Sequence, residues 1–224
     1  MKWQIGVTTV AERFGILLPK TLESLEKAGF TDIRVFVDGE GHIPEYLSGY
    51  AITQRIPRIK TYGNWILALW EMYIREPQAT LYAIFQDDCL ASLNLRSYLE
   101  KCRYPEKGYW NLYTWPNNEG DKGWHLSDQA GRGAVGIVFD KPALQSVIGS
   151  RVMVDKPLNA KRGRKWKWVD GSLSAALASE GYKEYVHTPS LLFHTGEESV
   201  IGNSTHPLTK SFPGEDFDCL ELLT

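Results

Sequence analysis

The chain has 224 residues, of which 43% are hydrophobic and 23% are charged, and this composition is typical of a globular protein with its own hydrophobic core. The net charge of −2 excludes a general electrostatic attraction to nucleic acid or to anionic membranes, so such an attraction would require a local basic patch. The three cysteines, Cys89, Cys102 and Cys219, are too few and too scattered for a disulfide framework or a structural zinc site.

The N-terminal sequence MKWQIGVTTV reads directly as a strand and lacks the apolar stretch and the cleavage site of a signal peptide. No apolar run approaches the length that a membrane span requires. The sequence therefore predicts a cytoplasmic protein that does not insert into a membrane.

Hydrophobic periodicity predicts strands and helices that alternate in the first half of the chain and follow a mixed order in the second. Strands are predicted over residues 3–10, 33–37, 81–85, 109–114 and 134–139. Helices are predicted over residues 17–28, 64–75, 93–101, 141–148 and 172–180. Residues 51–59 are predicted to be irregular or a short strand, and the segment from Pro189 onward to be a loop. This order predicts the α/β class, with one Rossmann-like domain over residues 1–224 and a mixed, mostly parallel sheet flanked by helices.

Acidic side chains follow two of the predicted buried strands directly. Asp38 ends the second strand, and the pair Asp87-Asp88 ends the third. Ligands of open α/β sheets bind at the carboxyl ends of the strands. Adjacent carboxylates at such a place need compensation, which Mg²⁺ or Mn²⁺ bridging to phosphates would provide. The pair alone is equally compatible with a solvated turn or a helix cap, and Asp38-Gly39 with a plain turn.

Several segments taken together resemble the GT-A-fold glycosyltransferases, which transfer sugars from nucleotide sugars. The family's N-terminal nucleotide-binding βαβ unit is similar to the first strand with the segments TLESLEKAGF and IRVFVDG. The helix after its base pocket is similar to YGNWILALW. FQDDC lies where the family has its metal-binding DXD-type motif. The segment with the family's acceptor-side acid is similar to WVDGSLSAALASEGY, and its histidine loop is similar to PSLLFHTGEESVIGN. The resemblance implies a nucleotide-sugar-binding half over residues 1–100 and an acceptor-binding half over residues 101–224.

The resemblance implies a donor site built by the first half of the chain. The donor-binding residues are then Thr8, Thr9, Arg13, Asp38, Asn64 and Asp87. Asp38 would read the nucleobase, because the uracil edge offers an N–H donor that a carboxylate can accept. Arg13 would pair with the diphosphate, although a solvated arginine is an alternative. Asn64 is equally compatible with a helix cap.

The resemblance also implies a cofactor, Mn²⁺ or Mg²⁺, held by Asp88 and His194. Such a cation would neutralise the nucleoside diphosphate as it leaves. A strict Asp-x-Asp motif would need aspartate at position 86, where this chain has Gln86, so Asp88 is the expected direct ligand. Asp87 would then contact sugar hydroxyls or metal-bound water. A histidine on its own is more often a hydrogen-bonded structural residue than a metal ligand.

Asp170 corresponds to the acceptor-side acid of the family. Sugar transfer with inversion needs a carboxylate that takes the proton from the acceptor hydroxyl, and the resemblance implies this role for Asp170. In a retaining enzyme Asp170 would orient the acceptor instead. Asp170 also precedes the predicted last helix, so an N-cap role is an alternative that is compatible with catalysis.

A basic and aromatic segment, residues 161–168, lies just before Asp170. Five of its eight residues are cationic and two are tryptophan. This pattern suits a phosphodiester backbone with stacked bases, a polyanionic glycan or a nucleotide, although a solvated loop is an equal alternative. The predicted acceptor-binding residues are Trp110, Arg164, Trp166 and Trp168. The acceptor itself is expected to be a glycan, a protein or a hydroxymethylated base in DNA.

Two other functions fit parts of the same pattern. A nucleotidyltransferase has a related architecture and metal use, but its glycine-rich loop is not seen in VTTVAERFG, which has one glycine. A non-catalytic module that binds nucleotide sugars or glycans is the other alternative, and the joint presence of Asp88, Asp170 and His194 argues against it. The leading hypothesis is a metal-dependent, UDP-sugar-using, inverting glycosyltransferase.

Overall fold

The computed structural model describes residues 1–155, 168–195 and 208–224. The first half contains β1 (Trp3–Val10), α1 (Leu17–Lys27), β2 (Ile33–Asp38), β3 (Ala51–Arg55), α2 (Lys60–Arg75), β4 (Leu81–Gln86), β5 (Cys89–Ala91) and α3 (Leu95–Lys101). The second half contains β6 (Gly108–Asn111), β7 (Gly123–Leu126), β8 (Gly136–Asp140), α4 (Lys141–Gly149), α5 (Arg151–Val154), α6 (Val169–Ser179), β9 (Lys183–Thr188) and β10 (Leu192–His194). Every predicted strand and helix is present, with shifted ends.

Eight of these strands form one sheet in the order β3-β2-β1-β4-β8-β6-β9-β7. Strands β3, β2, β1 and β4 run parallel to one another, whereas β8 is antiparallel to both β4 and β6. The remaining strands of the described chain, β5 and β10, pair with each other as an antiparallel ribbon. The predicted α/β domain with a mixed, mostly parallel sheet and flanking helices is confirmed.

The sheet buries both of its faces, which explains why its strands are continuous apolar runs instead of alternating ones. In β2, Val35 packs into the cluster beneath α1, whereas the next residue, Phe36, packs into the cluster beneath α2. In β4, Ala83 packs into the cluster beneath α1 and Ile84 into the cluster beneath α2. The polar side chains of these strands are therefore left at the strand ends.

Two predicted helix caps are wrong. Helix α2 begins at Lys60, because Tyr62 is buried and its hydroxyl donates to the carbonyl oxygen of Met153 at 2.7 Å, so Asn64 lies inside the helix. Helix α6 begins at Val169, which is buried, so Asp170 is its second residue and Trp168 occupies the N-cap. A carboxylate in the first turn still interacts favourably with the helix dipole.

Two strand boundaries also differ from the prediction. The strand predicted over residues 109–114 ends at Asn111, because the Asn111 side chain accepts a hydrogen bond from the Tyr113 N–H at 3.2 Å and turns the chain. The segment after Pro189 was predicted as loop but contains β10, which is three residues long and too short to show a period. None of the helices formed by residues 1–155, 168–195 and 208–224 is long and apolar enough to cross a membrane.

A buried histidine in β9 gives the fold a testable pH dependence. His187 Nδ1 lies 2.7 Å from the carbonyl oxygen of Pro189 and Nε2 lies 2.8 Å from the Tyr98 hydroxyl, so a neutral ring donates to one and accepts from the other. Burial lowers the pKa of His187 from 6.5 to about 4. The unfolded chain therefore binds this proton at a higher pH than the folded chain does.

The stability that the neutral His187 ring contributes is present above pH 6.5 and is lost as the pH falls through about 4. We expect this group to remove up to about 3 kcal/mol of unfolding free energy over that window. Urea unfolding between pH 7 and pH 4 measures this effect. The unfolding free energy of His187→Gln should depend less steeply on pH than that of the wild type. His42→Gln, at an exposed position, should keep the wild-type slope. An unchanged slope in His187→Gln would contradict the prediction.

Candidate functional site

A pocket of about 90 Å³ opens at the carboxyl ends of β1, β2 and β4. It is lined by Thr8, Thr9, Val10, Arg13, Asp38, Thr61, Asn64, Gln86 and Asp87. All six residues predicted to bind the donor are among them. They meet because parallel strands end at one edge of the sheet and because α2 begins beside that edge.

Arg13 and Thr9 hold the Asp87 carboxylate from both sides. The Thr9 hydroxyl donates to Oδ2 of Asp87, and Nη1 of Arg13 donates to Oδ1. The Arg13 side chain reaches this position from a short 3-10 helix, Ala11–Arg13, that follows β1 directly. Burial raises the pKa of Asp87 to about 6, with the Arg13 charge opposing this rise and the Asp88 charge adding to it.

Asp88 meets His194 through the β5–β10 ribbon. His194 pairs with Cys89 across this ribbon, which places its Nε2 3.2 Å from Oδ2 of Asp88. The Thr195 N–H donates to the Asp88 carbonyl oxygen at 2.8 Å and fixes the ribbon beside the acidic pair. The same Oδ2 of Asp88 accepts a hydrogen bond from Arg13 at 2.7 Å. The two predicted metal ligands are thus adjacent.

The surroundings of Asp88 are those of an ionised carboxylate. Burial would raise its pKa, but the hydrogen bond and charge of His194 and the charge of Arg13 outweigh burial and hold the pKa below its usual value. The Oδ1 atom is buried and accepts no hydrogen bond from the part of the chain that the structure describes. A buried acceptor without a donor is costly, so this atom is suited to a ligand.

The donor set at Asp88 fits a divalent cation that takes further ligands from a substrate. One carboxylate and one imidazole suit Mn²⁺, and the unpartnered Oδ1 of Asp88 is available to coordinate it. Within residues 1–155, 168–195 and 208–224 no three or more His, Cys, Asp or Glu side chains are grouped so that they could hold a metal ion by themselves. The other ligands would therefore come from donor phosphates and water, as is common for such cations.

Asp38 lines the same pocket and carries a buried acceptor. Its Oδ1 accepts from the Ile59 N–H at 2.7 Å. Its Oδ2 lies 3.9 Å from Nε of Arg58 but has no hydrogen-bond partner among the described residues. Arg58 itself is held by Glu12 through two contacts of 2.8 and 2.7 Å. One oxygen of this fixed carboxylate therefore lacks a donor in the part of the chain that the structure describes, and it suits a ligand that brings one.

Asn64 has a structural role in the pocket wall. Its Nδ2 donates to the Phe36 carbonyl oxygen at 2.8 Å, and its Oδ1 accepts from Nε of Arg55 at 2.9 Å. These two bonds tie α2 to the ends of β2 and β3, beside Asp38. Thr61 and Gln86 were not predicted as site residues but line the pocket. Gln86 stood out in the sequence only as a departure from a motif.

Asp170 lies next to the pocket wall and does not line the pocket. Oδ2 of Asp170 accepts a hydrogen bond from the Gly133 N–H at 3.1 Å. The residue after Gly133 is Ala134, and its carbonyl oxygen accepts a hydrogen bond from Nε2 of Gln86 at 2.8 Å. Gly133 has a φ of +71°, and a Cβ there would lie 2.5 Å from the Tyr113 ring. The Tyr113 ring in turn packs edge-on against His194. Asp170 is thus connected to both the pocket and the acidic pair.

The predicted acceptor-binding residues are not brought together by the described structure. Trp110 is 1% exposed and stacks on Trp124 at 5.1 Å, so it belongs to the core. Trp168 is 48% exposed and lies two residues before Asp170. Arg164 and Trp166 lie outside the described residues.

No protein-family model matches the chain, and no curated protein sequence matches it either. The fold is similar to that of a nucleotidyltransferase from Methanothermobacter thermautotrophicus, with a TM-score of 0.50 and 14% identity over 83% of this chain and 86% of that one. It is similar to a protein from Bacillus anthracis assigned as a glucose-1-phosphate thymidylyltransferase, with a TM-score of 0.50 and 11% identity over 87% and 90%. It is also similar to the S. aureus glycosyltransferase TarS, with a TM-score of 0.55 and 11% identity over 84% of this chain and 36% of that one. These likenesses show a fold that both classes of transferase use.

Proposed function

We propose that this chain is a GT-A-type glycosyltransferase that moves a sugar from a nucleotide sugar to an acceptor hydroxyl. The observation that carries the proposal is the pocket at the carboxyl ends of β1, β2 and β4. Asp38 lines this pocket and has one buried carboxylate oxygen without a hydrogen-bond partner among the described residues, and Asp88, the neighbour of the lining residue Asp87, has another. A nucleoside diphosphate offers an N–H group at one end and metal-binding phosphates at the other, which matches these two positions.

Asp38 recognises the nucleobase in this proposal. Oδ2 of Asp38 would accept a hydrogen bond from the imide N–H of uracil, and the backbone that holds Oδ1 keeps the carboxylate oriented. Because an unpartnered buried acceptor is costly, a base that supplies the donor gains affinity over one that does not. This argument supports a UDP-linked sugar as the donor.

The acidic pair and Arg13 handle the diphosphate. Asp88 and His194 would hold Mn²⁺ or Mg²⁺, which supplies positive charge to the leaving diphosphate. Arg13 lies at the junction of the pocket and the acidic pair, where its guanidinium would bind phosphate oxygens with two parallel hydrogen bonds. Asp87, held by Thr9 on its other side, would orient the sugar hydroxyls.

Asp170 acts as the general base for transfer with inversion. The acceptor oxygen forms a bond to the anomeric carbon, the bond from that carbon to the diphosphate oxygen breaks, and the acceptor proton passes to the Asp170 carboxylate. The Gly133 N–H donates to Oδ2 of Asp170 and so orients the carboxylate that would receive the proton. The position of Asp170 in the first turn of α6 holds the base rigidly.

The acceptor is expected to carry an accessible hydroxyl near Trp168, whose exposed ring precedes Asp170. The five cationic residues in segment 161–168 of the sequence favour a polyanionic acceptor over a neutral one. A hydroxymethylated base in DNA satisfies both requirements, and an anionic glycan is the alternative. Both are tested as acceptors below.

A nucleotidyltransferase is the second candidate, because the fold is similar to members of that class. Its glycine-rich phosphate loop would follow β1. In this chain the corresponding segment is VAERFG, and it forms a short 3-10 helix whose Arg13 side chain turns onto Asp87 and Asp88. This arrangement favours sugar transfer over nucleotidyl transfer.

Product analysis distinguishes the two functions. The chain is incubated with Mn²⁺ and either a panel of UDP-sugars or UTP with sugar 1-phosphates, with hydroxymethylated DNA, unmodified DNA and an anionic glycan as acceptors. We expect release of UDP from a UDP-sugar, stimulated by one acceptor, and no pyrophosphate from UTP. Pyrophosphate release with formation of a UDP-sugar would assign the second candidate, and the absence of any turnover would favour a binding module.

A further inference from the structure

Arg13 makes a bridging contact that is incomplete on both sides. A single nitrogen, Nη1, donates to Oδ1 of Asp87 and to Oδ2 of Asp88, while the Nε–H of Arg13 is buried and without a partner in the described chain. Guanidinium groups favour two parallel hydrogen bonds to one carboxylate or phosphate. The present position therefore leaves much of the Arg13 hydrogen-bonding capacity unused.

The acidic pair is also only partly compensated. Two adjacent buried carboxylates, each about 4% exposed, share this one guanidinium, and Oδ1 of Asp88 accepts no hydrogen bond from the described residues. A buried carboxylate is costly unless it is paired and hydrogen-bonded. The arrangement suits an exchange in which another cation takes Asp88 and Arg13 takes another anion.

The segment that carries Arg13 is held by contacts that do not involve the Arg13 side chain. Glu12 is fixed to Arg58 by two contacts of 2.7 and 2.8 Å, and Ala11–Arg13 forms a hydrogen-bonded 3-10 turn. Arg13 itself lines the pocket, so an exchange of partners would require its guanidinium to turn toward the pocket while this segment stays in place.

We propose that Arg13 is an exchangeable counter-ion, which neutralises Asp87 and Asp88 in the free protein and moves to the donor diphosphate when a divalent cation binds Asp88. This inference rests on the proposed function, because it requires a diphosphate in the pocket. It makes cation and nucleotide binding mutually supportive, since each ligand releases a group that the other uses. Arg13 is then a binding residue whose removal has opposite effects on the two ligands.

The test compares wild type with Arg13→Met, which keeps the length of the side chain and removes its charge. Binding of Mn²⁺ without nucleotide is followed by the electron paramagnetic resonance signal of free Mn²⁺, and binding of UDP at saturating Mn²⁺ by calorimetry. We expect Arg13→Met to bind Mn²⁺ about tenfold more tightly and UDP about tenfold more weakly, within the range of couplings between linked sites. Arg75→Met, which removes an exposed arginine paired with Glu71, is the matched control and should change neither value.

Weaker or unchanged Mn²⁺ binding by Arg13→Met would overturn the inference, as would the absence of Mn²⁺ binding in both proteins. A second variant, Arg13→Lys, keeps the test valid if Arg13→Met does not fold. Lysine keeps the charge without the planar guanidinium, and we expect the Mn²⁺ affinity of this variant to stay near the wild-type value. UDP release from UDP-sugars is measured on the same wild-type sample. Turnover there with no change in Mn²⁺ affinity would overturn the exchange alone, whereas the absence of UDP binding and turnover would overturn the proposed function.

Discussion

Replacing Asp88 with asparagine should reduce UDP-sugar turnover by about 10²- to 10³-fold, the size of effect seen when one electrostatic contact to a leaving or developing charge is removed. The substitution keeps the size of the side chain and removes the charge that, in the proposed function, would hold the cation together with His194. The measurement is the initial rate of UDP release at saturating Mn²⁺.

The Asp88→Asn variant should also lose the dependence of UDP binding on Mn²⁺. Asp140→Asn is the matched control, because Asp140 caps α4 through the Ala143 N–H at 2.8 Å and asparagine caps helices equally well. We expect that control to retain wild-type turnover. Full turnover in Asp88→Asn would show that the acidic pair does not hold a catalytic cation.

Replacing Asp170 with asparagine should lower kcat by about 10²- to 10⁴-fold, the range that general base catalysis contributes. The asparagine oxygen can still accept the hydrogen bond from Gly133, so the loop beside the pocket should keep its place. Because Asp170 does not line the pocket, UDP affinity should stay at the wild-type value. Single-turnover rates and calorimetry with UDP measure the two effects separately.

Loss of UDP binding in Asp170→Asn would instead indicate that Asp170 supports the shape of the pocket. An unchanged kcat would remove Asp170 from the reaction and would favour a mechanism in which another group takes the acceptor proton. The expected result is a lower kcat with unchanged UDP affinity. Each of the two other outcomes changes a different one of these two parameters, so measuring both distinguishes the three cases.

The pocket at the carboxyl ends of the strands could be predicted from the sequence because it follows from strand order. The apolar runs of β1, β2 and β4 are long enough to be recognised, and parallel strands must end at one edge of the sheet. Polar residues directly after those runs, such as Asp38 and Asp87, are therefore neighbours in space. This reasoning needs no knowledge of side-chain contacts.

Other parts of the site depend on tertiary packing that local patterns do not show. The β5–β10 ribbon, which brings His194 to Asp88, has only three residues in each strand, too few for a period to be visible. The resemblance to GT-A enzymes suggested this pairing of residues, whereas the periodicity did not. The start of α2 was misplaced because burial of Tyr62 extends the helix beyond its apparent cap.

Tryptophan content was a weak guide to function. Trp110 was predicted at the acceptor site because aromatic faces often bind sugars and bases, but its ring stacks on Trp124 inside the core. A single sequence does not distinguish a buried aromatic ring from an exposed one unless its strand neighbours are known. Of the predicted tryptophans that the structure describes, Trp168 is the one with an exposed ring.

Thermal unfolding with a panel of nucleoside diphosphates tests the central claim most directly. UDP, GDP, ADP, CDP and dTDP are each added with and without Mn²⁺, to wild type and to Asp38→Asn. We predict that UDP at about 100 times its Kd, with Mn²⁺ present, raises the midpoint of wild type by about 5 to 10 °C, and that Asp38→Asn loses most of this shift. No shift with any diphosphate would contradict a donor site between Asp38 and Asp88.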